Sequence, residues 1–287
     1  MRGVVSHAIT IPRRIGHRIE SLLPHGWGEF ALQALIFWSF YVAYEGARAL
    51  ASGDRYVAIE NALDVLRAQQ ELGIAWERQI QDWAINAPGI VMAVANWTYF
   101  NCHFIVSYGL LLFIYFRRNH AFYFVRNVIL ATSFAALIGY LLLPTAPPRM
   151  LAGLGFIDTL QQTAVNHDSD IVAAFSNPYA AMPSLHTAYA VIIGAAGILV
   201  FANPLLRAIW AAYPFLVLFS IITTANHWFL DAAVGSLLAL LAMILAFAIA
   251  RGRIPTLTRY HEQRRLYPTT PAPSRLEHEP RAPALRR

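Results

Sequence analysis

Six stretches of about 20 mostly apolar residues run through this chain, near residues 29–52, 88–116, 121–144, 184–202, 205–225 and 228–250. About 20 residues is the length an α-helix needs to cross the hydrocarbon of a bilayer. There is no water there to satisfy backbone N–H and C=O groups, so a segment of that length must satisfy its own, and only a helix does. The composition agrees: 57% hydrophobic and 13% charged residues with a mean hydropathy of +0.45 lie outside the balance of an ordinary soluble domain. The expected fold class is all-α, a polytopic membrane protein with six transmembrane helices and amphipathic interfacial helices on the external side. No span visibly repeats another. The first lacks the early apolar core and small-residue cleavage site of a signal peptide, which makes it a retained helix.

Arginine sets the expected orientation, because short loops rich in positive charge stay cytoplasmic. Arg2, Arg13, Arg14 and Arg18 precede the first span, Arg117, Arg118 and Arg126 surround the turn between the second and third, Arg207 follows the fourth, and Arg251 and Arg253 follow the sixth. Six crossings put all of these on one side. The opposite loops carry a mixed or acidic set that includes Asp54, Glu60, Asp64, Glu71, Glu77, Asp82, Asp158, Asp168 and Asp170. The chain then divides into a cytoplasmic segment (1–28), a six-helix membrane catalytic domain (29–252) and a proline-rich, charged tail (253–287) expected to be disordered and cytoplasmic. The net charge of +6 needs no nucleic acid, since basic tails beside anionic headgroups account for it. The expected partners are membrane lipids.

Within the external segment 53–87, Ile59, Ala62, Leu63 and Leu66, then Trp76, Ile80, Trp83 and Ala84, recur at helical spacing. Either they lie on the outer leaflet or they cap the bundle. Cys102 is the single cysteine, so neither an intrachain disulfide nor a cysteine metal cluster is available.

Three polar islands converge on the external face: "LPTAPPRML" after the third span, "AAMPSLHTAYA" at the fourth and "TANHWFLDAAVG" at the sixth. His227 and Asp231, if both helical, share a face one turn apart. The carboxylate then accepts from one imidazole nitrogen and leaves the other as a lone-pair nucleophile. His186 begins a neighbouring helix and can face it. Ser184 and the N–H groups of that helix start suit phosphate oxygens, and Arg149 offers a planar fork to the same anion. Together these make a phosphoryl-transfer site that needs no metal or cofactor. Singly each has a plainer reading: a polar pair packing helices, a good N-cap, an interfacial anchor.

These residues resemble the type-2 phosphatidic acid phosphatase superfamily, whose motifs are Lys-x6-Arg-Pro, Pro-Ser-Gly-His and Ser-Arg-x5-His-x3-Asp. "PSLH", Pro183 to His186, matches the second with leucine for glycine, as in the inositol phosphorylceramide synthase branch, and "SIITTANHWFLD" matches the third at Ser220, His227 and Asp231. Ile221 stands where the arginine would be. The first motif is absent, because all 22 basic residues are arginine, and Arg149 in "PTAPPR" is the substitute phosphate ligand. The resemblance implies that His227 attacks phosphorus, Asp231 orients it and stabilises the imidazolium, and His186 protonates the departing oxygen and then activates the acceptor. That acceptor is an alcohol in a lipid phosphotransferase or water in a lipid phosphate or prenyl diphosphate phosphatase. The donor would be a phospholipid or prenyl phosphate. The enzyme would be a multi-pass protein of the cell membrane, with its active site extracytoplasmic.

His103 reads as a hydrogen-bonded histidine between helices, "NHDSD" at 166–170 as a hydrated loop, and Arg126 as cytoplasmic, on the wrong side for catalysis. Two other classes remain open: a haem- or quinol-linked bundle using its histidines, and a transporter or pseudoenzyme that binds headgroups without turnover.

Overall fold

The computed structural model describes residues 23–24, 26–50, 54–101, 105–160 and 177–250. Residues 1–22, Cys102, His103, the 166–170 loop and the tail from 251, with the readings placed on them, lie outside the described residues.

The described residues form α1 (Gly26–Leu50), α2 (Arg55–Glu71), α3 (Glu77–Asn86), α4 (Ile90–Asn101), α5 (Ser107–Arg117), α6 (Asn119–Leu142), α7 (Leu185–Val200), α8 (Pro204–Thr223) and α9 (Phe229–Ile249). The all-α expectation holds among them, where the sole β feature is an isolated bridge between Thr145 and Ala180. Three helical segments are long and apolar enough to cross a membrane: Ala121–Leu142, Pro204–Thr223 and Phe229–Ile249. Apolar α5 and α7 are shorter, and α1 is 25 residues long but carries Glu29, Glu45 and Arg48. On α9, Leu237, Leu241, Ile244, Leu245 and Ile249 are each more than half exposed. An apolar stripe of that length left outside the core belongs in lipid. This is a membrane protein.

Helix α7 sits centrally, packed on α5, α6, α8 and α9. Its glycines and alanines allow close approach. At Gly235 of α9 an added Cβ would lie 2.1 Å from the Ser184 carbonyl oxygen, and at Gly139 of α6 2.6 Å from the Pro183 ring. Both contacts press on the segment that carries "PSLH".

The α1 end near Glu29 accepts hydrogen bonds from Tyr115 and Tyr123, beside the arginine-bearing turn 117–119. Arg126 bonds Gln33 and Asn127. The Arg48 end of α1 lies instead at the cavity described below.

Helices α2 and α3 are a packed cap whose inner face differs from the apolar stripe read in the sequence. The buried row is Ala58, Ala62, Val65 and Gln69 on α2 and Glu77, Gln81 and Ala84 on α3. Trp76 and Trp83 are 59% exposed. The inversion has a physical reason, because the first N–H groups of a helix have no intrahelical partner and α2 and α3 turn polar side chains towards those of α9. The Phe229 N–H donates to Glu77 Oε1 at 2.9 Å and the Leu230 N–H to Gln69 Oε1 at 2.8 Å, while Gln69 Nε2 donates to Glu77 Oε1 at 2.7 Å. Gln81 likewise ties Ile157 and the Thr223 carbonyl. Burial pushes the Glu77 carboxyl above the ordinary range, against the pull of the hydrogen bonds it accepts. The outward tryptophans are the type enriched at membrane–water interfaces.

Candidate active site

The three polar islands are joined by specific bonds. The Arg149 N–H donates to the Ala225 carbonyl at 2.8 Å and the Ser184 N–H to the Asp231 carbonyl at 3.0 Å. Trp228 Nε1 donates to the Ala146 carbonyl at 3.0 Å.

His227 precedes α9 rather than lying in it. Ala225 adopts a left-handed φ of 53°, Trp228 is the extended N-cap and the helix starts at Phe229. The expectation of a His–Asp pair one turn apart within a single helix is therefore corrected. Asp231 is the third helical residue and its Oδ2 accepts the Trp228 N–H at 2.9 Å, an acidic first-turn cap that also suits the helix dipole.

The imidazole of His227 is oriented by a partner invisible in the sequence. Its Nδ1 lies 2.9 Å from the Ala181 carbonyl oxygen and 3.5 Å from Asp231 Oδ2. A carbonyl only accepts, so Nδ1 carries the proton and Nε2 keeps its lone pair. Asp231, fully buried, stands beside the ring without being its principal hydrogen-bond partner. His227 Nε2 is 3.3 Å from His186 Nδ1, and Tyr99 stacks on His186 with ring centroids 4.6 Å apart, fixing the plane of the second imidazole.

Both histidines line a cavity of about 170 Å³, together with Tyr99, Arg149, Arg48 and Asn177. Arg149 Nε sits 3.6 Å from Asp158 Oδ2, while its Nη1 is buried without a hydrogen-bond partner. Leu185 and His186, at the start of α7, present that helix's N-terminus to the cavity, an arrangement that favours anions. Ser184 stands behind it, fully buried and not lining the cavity. Its Oγ accepts the Thr187 N–H as the N-cap of α7. Ser220 donates to the Ala95 carbonyl, and Ile221 is fully buried in the apolar core. Nothing cationic therefore reaches the cavity from the position where the motif has arginine.

Sequence reasoning missed Arg48, Asn177 and the Ala181 carbonyl. Glu45 and Arg48, three apart at the C-terminal end of an apolar helix, were a usable signal; a main-chain carbonyl gave none. Among the described residues no group of three or more His, Cys, Asp or Glu could hold a metal ion.

Residues 63–245 match a family model described as the PAP2 superfamily. No curated protein and no solved structure matches the chain. The match covers well over half of the 287 residues, so the chain belongs to the PAP2 superfamily, whose membership points to a lipid phosphatase or phosphotransferase.

Proposed function

We propose that this member of the PAP2 superfamily is a membrane-embedded lipid phosphotransferase of the inositol-phosphorylceramide-synthase-like kind, working through a phosphohistidine. His227 Nε2 attacks the phosphorus of a lipid donor, the bond to the leaving oxygen breaks, and His186 delivers a proton to that oxygen. His186 then takes the proton of an incoming alcohol, whose oxygen attacks phosphorus and releases His227. Asp231 stabilises the imidazolium. Arg149 and the Leu185 and His186 N–H groups hold the equatorial oxygens; Ser184 serves them by capping their helix. The observation that carries this reading is the Ala181 bond, which leaves the His227 lone pair aimed at His186 inside a cavity. Phosphorus on Nε2 needs more room than the 3.3 Å contact offers, so donor binding separates the two imidazoles.

The proposal includes six membrane crossings, α4 and α5 together making the second, within a catalytic domain of residues 29–252. The cavity faces the extracytoplasmic side of the cell membrane and the arginine-bearing turns face the cytoplasm. No metal takes part.

The test is a panel of labelled phospholipids, prenyl phosphates and prenyl diphosphates offered to the purified protein in EDTA, with and without lipid or polyol alcohols. Transfer to an alcohol is the expected product. Release of phosphate to water alone would make the protein a phosphatase, and turnover only after a divalent ion is restored would overturn the mechanism.

A further inference from the structure

Four buried side-chain groups that line this cavity have no hydrogen-bond partner, the Ser107 hydroxyl and three nitrogens that can only donate: Arg48 Nε, Arg149 Nη1 and Asn177 Nδ2. Buried polar groups are almost always paired, so each such orphan calls for an explanation, and three such nitrogens on one cavity call for a common one. The amide orientation of Asn177 is fixed, because its Oδ1 accepts the Tyr179 N–H at 2.9 Å. Nδ2 is therefore the free donor rather than a misassigned oxygen. Arg48 is held from behind: Nη1 lies 3.3 Å from Glu45 Oε2, and Nη2 donates to the Asn177 carbonyl at 3.4 Å. Arg48 and Arg149 line the same cavity as His186 and the Tyr99 ring stacked on it.

We infer that Arg48 and Asn177, with Arg149, form the oxyanion cradle of this site, binding the substrate's phosphate from α1 and from the loop before "PSLH". The inference rests on the phosphoryl-transfer reading and names the groups that do the work of the missing lysine and of Ile221. The unpartnered nitrogens can only donate, and an acceptor-rich ligand such as a phosphate satisfies all three. Each guanidinium is already backed by a carboxylate, Glu45 or Asp158. Recognition thus comes from aimed, charge-assisted N–H groups more than from surplus positive charge.

The test titrates inorganic phosphate into the full-length protein in detergent and reads the thermal shift, independently of turnover. Losing one hydrogen bond to a charged group weakens binding by about 10–100-fold, and this is expected for Arg48→Gln, with a smaller loss for Asn177→Ala. Glu45→Gln should instead tighten phosphate, since it frees the guanidinium from its carboxylate. A purely structural Glu45–Arg48 pair would make both variants behave alike. Equal effects, or unchanged binding in Arg48→Gln, overturn the inference. If Arg48→Gln does not fold, Glu45→Gln/Arg48→Gln removes both charges without stranding a carboxylate and carries the same expected loss. Wild-type protein that binds phosphate but never forms phosphohistidine would sink the proposed reaction and leave the cradle standing. Wild-type protein that forms phosphohistidine from a lipid yet does not bind phosphate would do the opposite.

Discussion

Replacing Asp231 by Asn separates the two tasks its carboxylate performs. Oδ2 accepts the Trp228 N–H at 2.9 Å and lies 3.5 Å from His227 Nδ1. An amide oxygen continues the first task, so the helix start survives and stability changes by no more than about 1 kcal/mol, the usual worth of a cap. The ring also keeps its tautomer, because the Ala181 carbonyl and not Asp231 holds the Nδ1 proton. On the proposed reaction, what is lost is the carboxylate charge beside a ring that becomes cationic only as phosphorus is attacked. At this separation a charge pair is worth about 4 kcal/mol at an effective dielectric of about 20. The neutral ground state does not feel the loss, so it falls on the barrier. At about 1.4 kcal/mol per decade, turnover should drop by about 10³. The assay pairs single-turnover kinetics of protein phosphorylation with thermal unfolding in the same detergent. Activity within tenfold of wild type, in a protein of unchanged stability, would refute electrostatic stabilisation by Asp231.

Glu77 should give the fold a pH dependence of known sign: its carboxyl is held above the ordinary range by burial, so its contribution is full below the unfolded value of about 4.3 and is lost as pH rises through the folded value. Glu77→Gln keeps an oxygen for Phe229 and should flatten the fall in Tm as pH rises from the unfolded value to the folded one; parallel Tm–pH curves for the two proteins would contradict this. Gly235→Ala drives a methyl against the Ser184 carbonyl, with a predicted contact of 2.1 Å, and should cost about 1–3 kcal/mol by forced separation of α7 and α9, read as a lowered Tm; an unchanged Tm would show the contact to be slack. For orientation, in a Cys102→Ala background, an impermeant thiol reagent outside intact cells should label Asp64→Cys but not Arg207→Cys, and the reverse pattern inverts the topology.

The membrane character was legible because the length of an apolar run is a direct physical requirement of the bilayer. Convergence of three distant islands was legible too, since "PTAPPR" and "PSLH" each end up bonded to "NHWFLD". Local geometry was not. Contiguous "ANHWFLD" reads as helix, and only the positive φ of Ala225 reveals that His227 stands before the helix start; the acid three residues after Trp228 was the available hint of a cap. On α3, the exposed tryptophans and buried Glu77 and Gln81 reverse what helical periodicity suggests. Their partners are main-chain groups far along the chain, the Phe229 N–H for Glu77 and those of Ile157 and Thr223 for Gln81, and no local pattern encodes that. Arg48 was lost for a similar reason. An arginine ending an apolar helix looks like an interfacial anchor until the fold brings Asn177 beside it and His186 into the same cavity.

The central claim is that His227 Nε2 carries the phosphoryl group. The direct measurement is rapid acid-free quenching of the purified protein with a ³²P-labelled lipid donor, followed by mapping of the acid-labile label in wild type, His227→Ala and His186→Ala. The account predicts label on His227 in wild type, none in His227→Ala, and in His186→Ala a label that returns when the donor carries an activated leaving group such as nitrophenol, which departs without a proton. An acid-labile phosphoprotein still forming in His227→Ala, or equal rescue of both variants by the activated donor, would contradict it.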